Sequence, residues 1–205
     1  MLPKSPISAL PGERLAGIGH NQGPPLDAGF SFRKFAWKKA RAELMPRLPL
    51  EVVRRRVRRA QELGLAYPQY ASILLGTGRD IIGFLYTCQA LGLRLSRTPP
   101  VPGPVSAKLN GLNGCRRIVL VDQDPGAVAA ALARAGLTLD RVGEAPALRA
   151  SWPASRDAIR AVLEPYQLPS DAVVLVGDAP HEKVWADAAG LARFLPADSY
   201  FPARG

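Results

Sequence analysis

Two short apolar runs, IVLV at 118–121 and AVVLV at 172–176, are each followed within two residues by an aspartate, and then by a proline that opens a helical pattern. An unbroken Ile, Val and Leu run of this length fits a strand covered on both faces, the condition of strands in a parallel sheet. The chain around them reads PGAVAAALARAG (125–136) as a helix, LDRV (139–142) as a short strand, 153–163 as a helix and PHEKVWADAAGL (180–191) as another. Such alternation predicts a small parallel sheet with helices packed on it.

The front half follows a different pattern. Residues 1–30 hold five prolines and five glycines without a hydrophobic period, which predicts a flexible arm. From Ser31, Phe32, Ala36, Ala40 and Leu44 recur every four residues as one helical stripe, leaving Lys34, Lys38 and Arg41 on another face. Pro46 and Pro49 end that helix and begin a second, in which Leu50, Val53, Val57 and Ala60 are expected to face inward and Gly64 to mark the stop. Arg54, Arg55, Arg58 and Arg59 then emerge around the rest of its circumference. A short third helix is expected from Pro68 to Gly76. Thr77 and Asp80 are spaced as a capping box for a fourth, carrying Ile81, Ile82, Phe84, Leu85, Cys88 and Leu91 at the centre of a bundle.

The run SRTPPVPGP (96–104) places four prolines where no helix can continue. A boundary is expected there, giving an arm at 1–30, a basic helical domain at 31–95, a Pro-rich linker at 96–113 and an α/β domain at 114–205. The expected fold is therefore α/β, a basic helical bundle followed by a small parallel-sheet, Rossmann-like domain.

Charge follows the same division. Residues 1–113 carry 17 Lys and Arg against 6 Asp and Glu, whereas the remainder carries 10 against 11, so the net charge of +10 belongs to the front half. An excess of this kind suits a polyanionic partner, nucleic acid or an anionic membrane surface. The three helices from Pro49 to Leu91 loosely resemble a helix-turn-helix unit, which would offer Gln69, Ser72 and Arg79 to bases. The Arg-rich helix is the better surface for phosphates, so the expected binding is tolerant of sequence. No run approaches the roughly 20 apolar residues of a membrane span, and a cytoplasmic location is expected. Cys88 and Cys115 have no metal-like spacing and read as buried free thiols.

The acidic residues after the two apolar runs are the candidates for chemistry. Ligands of doubly wound sheets bind outside the carboxyl ends of the strands, where Asp122, Asp124 and Asp178 would lie. Three hard oxygen groups there would suit Mg²⁺. Over residues 116–201 the segments VLVDQDP and GDAPHEKVWADAAGL resemble the opening and late motifs of haloacid-dehalogenase-like hydrolases. The resemblance implies Asp122 as nucleophile, Asp124 as general acid, and Mg²⁺ held with Asp122, Asp178 and Glu182 during phosphoryl transfer. The family's Lys before the Gly-Asp motif has no counterpart, since that helix opens Ser151-Trp152-Pro153, and one positive charge at the site is missing. VLVDQDP also resembles the first strand of receiver domains and the ribose-binding strand of dinucleotide folds.

Two functions follow. The first is a non-enzymatic binding or regulatory protein, contacting nucleic acid or another polyanion through Lys34, Lys38, Arg41, Arg54, Arg55, Arg58 and Arg59, with a degenerate α/β sensing or docking domain and no cofactor. The second is an Mg-dependent phosphohydrolase.

Overall fold

A computed structural model describes residues 48–93 and 101–201. The arm at 1–30 and the basic residues Lys34, Lys38 and Arg41 lie outside the described residues. Five strands form one all-parallel sheet in the order β3-β2-β1-β4-β5. They are β1 (Gly83–Thr87), β2 (Arg116–Val121), β3 (Arg141–Glu144), β4 (Val173–Gly177) and β5 (Arg193–Pro196). Between and around them lie α1 (Leu50–Glu62), α2 (Tyr67–Thr77), α3 (Gly103–Gly111), α4 (Pro125–Arg134), α5 (Trp152–Leu163), α6 (Pro180–Ala189) and α7 (Ala197–Tyr200). The α/β class and the parallel sheet are as the apolar runs implied.

The central strand is the principal departure from the sequence reading. Residues 81–91, expected as a bundle helix, instead supply β1, with Leu85 in register with Ile118 on one side and Leu175 on the other. The run Ile81 to Tyr86 is apolar nearly throughout, a pattern shared by buried helices and by strands covered on both faces. Its aromatic and β-branched residues and its position between two neighbours favour the strand. Thr77 accordingly opens no helix. It ends α2, its hydroxyl donating to the Ile73 carbonyl at 3.1 Å, while Asp80 accepts from Tyr70 Oη at 2.9 Å and from the Ile81 N–H at 2.8 Å.

The expected boundary at 96–113 also falls away. Gly103–Gly111 is the helix that leads from β1 to β2, and its Val105 and Leu109 are buried. Sheet pairing joins residues on both sides of that stretch, so the described residues from Pro49 onward make one unit with one sheet.

Side chains alternate between the two faces of the sheet. Phe84, Tyr86, Val119, Val121, Val174 and Val176 face a cluster completed by α1 to α4 and α7, including Ala60, Tyr70, Ile73, Leu109 and Leu132. Leu85, Ile118, Leu120 and Leu175 face the other cluster, built with Ile159 and Val162 of α5 and Trp185 and Ala186 of α6. Among the described residues, α1 and α2 therefore share the core of the sheet and cover one of its faces. Within α1 only Ala60 is fully buried, and Leu50, expected to face inward, is 62% exposed. Tyr200 closes this layer. Its hydroxyl donates to the Leu63 carbonyl at 3.1 Å, and Lys108 Nζ lies 3.8 Å from its ring centre while donating to its backbone carbonyl.

Candidate functional site

All five strands end at one edge, and there the strand order reverses. From central β1 the chain steps outward to β2 and β3, whereas β4 and β5 lie on its other side. Segments leaving β1 and β4 diverge at such a point and leave a crevice, the usual ligand position in open α/β sheets. A cavity of about 270 Å³ lies at this edge. Thr87, Cys88 and Gln89 reach it from the end of β1, Asp122 from the end of β2, Pro146 and Leu148 from the segment after β3, and His181, Glu182 and Trp185 from the first turns of α6.

Glu182 shapes the floor. Only 2% exposed, it places Oε2 within 2.6 Å of the Asp178 N–H and 2.9 Å of the Ala179 N–H, occupying the free backbone donors where β4 turns into α6. A carboxylate there also complements the positive end of the helix. Gly177 makes room for it, since a Cβ at that position would lie 2.5 Å from Glu182 Oε2 and 2.6 Å from the Phe194 ring. Beside it the Thr87 hydroxyl accepts from the Ala90 N–H at 3.2 Å, fixing the turn after β1. The His181 ring meets Trp185 edge-on, centroids 5.0 Å apart. Burial pushes the Cys88 thiol up to about 11, with a further contribution from the charges of Asp122 and Glu182, so it stays protonated.

The acidic residues singled out from the sequence separate into different roles. Asp122 and Glu182 line the cavity together. Asp124, implied as a general acid, is the N-cap of α4, accepting from the Gly126 N–H at 3.2 Å and the Ala127 N–H at 3.0 Å. Asp178 is exposed on the turn after β4. Because β1 lies between β2 and β4, the strand ends bearing Asp122 and Asp178 are two strand spacings apart, about 10 Å. Among the described residues no group of three or more His, Cys, Asp and Glu is placed to hold a metal ion, so the trio Asp122, Asp178 and Glu182 is not assembled as a Mg²⁺ site. Lys183, after the motif, pairs with Asp187 at 2.6 Å.

The described basic residues divide as well. Arg54 pairs with Glu51 at 2.7 Å and stays exposed; Arg55 and Arg58 are exposed and make no ion pair with a described residue. Arg59 is engaged within the chain. Its guanidinium is bound to Asp80, Glu62 and the carbonyls of Ile81, Asn113 and Gly114. Arg79, expected to reach bases, pairs with Asp171 at 2.9 Å.

Of the cleft lining, sequence reasoning found Asp122 and Glu182 and missed the rest, including Thr87, Cys88, Gln89, His181 and Trp185. Reading 81–87 as a strand would have exposed the first three as its carboxyl end. Among the described residues no helix is long and apolar enough to cross a membrane. Compared with family models, curated proteins and solved structures, the chain has no match in any of the three.

Proposed function

We propose that this chain is a binding protein whose sheet offers a small-ligand cleft at the point where its strand order reverses. One observation carries the reading: segments following three neighbouring strands, together with the start of α6, bring Gln89, Asp122, His181 and Glu182 to one mostly apolar cavity. Ligand sites have this composition, an apolar wall with a few convergent polar groups. At about 270 Å³ the cavity is near the lower end of the usual range of roughly 300–1,000 Å³, and it suits a ligand of a single ring better than a dinucleotide. Binding is favoured over phosphoryl transfer because Glu182 already occupies the backbone donors at the start of α6 and Asp124 serves as a cap.

Ligand-observed NMR on the full chain tests this, using single-ring amines, alcohols and carboxylates. At least one class should bind, and Ala145→Phe, which fills the cavity, should abolish the signal. Binding by no class, or equal binding by the filled variant, would remove the cleft as a ligand site. An aryl phosphatase activity with Mg²⁺ that disappears in Asp122→Asn would make the hydrolase reading primary.

A second reading rests on Arg55 and Arg58, exposed on α1 without a described ion-pair partner. With Arg54, and with Lys34, Lys38 and Arg41 of the preceding segment, they would contact nucleic acid or another polyanion through charge. Duplex DNA titrated at several salt concentrations tests it.

A further inference from the structure

The cleft is acidic in a chain of net charge +10. Asp122 and Glu182 line it, and no Lys or Arg is among its described lining residues. A helix that starts beside a parallel sheet normally offers its free N–H groups to a phosphate or carboxylate of the ligand. Here the chain's own Glu182 takes the N–H groups of Asp178 and Ala179 with a single oxygen, Oε2. Its Oε1 makes no hydrogen bond to a described residue, although Glu182 is 2% exposed and lines the cavity. The position for an anion is filled, and one oxygen of a buried carboxylate remains available to a donor.

We propose that the cleft binds a small organic cation, an ammonium group on an apolar or aromatic body, with the ammonium held by the carboxylates of Asp122 and Glu182 and the body against Leu120, Ala145 and Trp185. This rests on reading the cleft as a ligand site. An ammonium carries donors only, matching carboxylates that accept only. A charge-assisted hydrogen bond in a partly desolvated cleft exceeds a neutral one, so the charge, more than the ring, sets the preference. Cys88 lines the same cavity as Asp122 and Glu182; burial raises its thiol first, and the two carboxylates add to that rise.

The test uses three probes of one shape on the full chain, benzylamine, benzyl alcohol and benzoate, followed by NMR at the Trp185 indole. Benzylamine should bind about 10- to 100-fold more tightly than benzyl alcohol, the factor a charge-assisted hydrogen bond supplies, and benzoate should not bind. Asp122→Asn should remove most of the advantage. Glu182→Gln, which can still accept from the backbone, should reduce it without unfolding the chain. If benzyl alcohol or benzoate binds as tightly as benzylamine, the cation assignment fails while the cleft stands. If none of the three perturbs Trp185, both fail.

Discussion

Arg59 Nε donates to Asp80 Oδ2 at 2.8 Å, joining the last turn of α1 to the residue before the apolar run of β1. The same guanidinium donates to the Ile81, Asn113 and Gly114 carbonyls, so one side chain satisfies backbone acceptors from the segments that lead into β1 and β2. Arg59→Met should therefore lower stability by about 1–3 kcal/mol, the cost of leaving such groups without partners. Arg55→Gln, on the exposed side, should change it by no more than about 0.5 kcal/mol. Urea unfolding of both variants makes the comparison.

The salt dependence of polyanion binding divides these arginines in the opposite way. Replacing Arg55 and Arg58 with Gln should flatten the slope of log affinity against log salt by up to about 0.9 per phosphate contact on duplex DNA. Arg59→Met should leave the slope unchanged wherever the protein remains folded. Fluorescence anisotropy from low to moderate salt measures both.

At the cleft, Glu182→Ala frees the Asp178 and Ala179 N–H groups. The variant should lose roughly 1 kcal/mol from the lost cap and acquire, at this turn, a stabilisation by inorganic phosphate that is not expected of the wild type, whose Glu182 occupies the same N–H groups. Gly177→Ala should destabilise by about 1–3 kcal/mol through the approach of its Cβ to Glu182 and Phe194. Combined with Glu182→Ala the cost should be less than additive, because one of the two close neighbours has gone. Thermal unfolding with and without phosphate follows all three variants.

Lys108 provides a pH signature. Burial pulls its ammonium from 10.5 down to about 8. Between those values the unfolded chain holds the proton that the native chain has released, so the contribution of Lys108 to stability rises with pH. Cys88 and Cys115, pushed from 9.0 up to about 11 by burial, act in the opposite sense: their contribution is complete below 9 and is lost as pH rises towards 11. Comparing wild type with Lys108→Met cancels the thiols. The wild type should gain on the variant between pH 7.5 and 10 in urea melts at fixed ionic strength.

The parallel sheet was legible because β2 and β4 are apolar runs ended by acid and proline, a signal local to each strand. β1 was not, because Thr77 and Asp80 are spaced as a capping box and Cys88 and Leu91 extend the apolar run as a plausible helical stripe, which only pairing with distant strands overrules. The arginines of α1 were legible as a basic helix, but beyond its local pair with Glu62, Arg59 is set apart from Arg55 and Arg58 by partners 21 to 55 residues away. Asp122 and Glu182 were picked out as acids, yet the capping role of Glu182 depends on Gly177 having no side chain. The rest of the cleft was hidden with β1, whose end forms one wall.

The placement of β1 also sets an order of events in time. Gly83 pairs with Arg116 and with Val173, so the first of the described strands receives its second neighbour only after 90 further residues exist. Until then one edge of an apolar strand has no partner, and closing so long a loop is slow. Nascent chains that stop short of β4 should therefore be aggregation-prone and depend on chaperones, and the final folding step should await the carboxyl-terminal third.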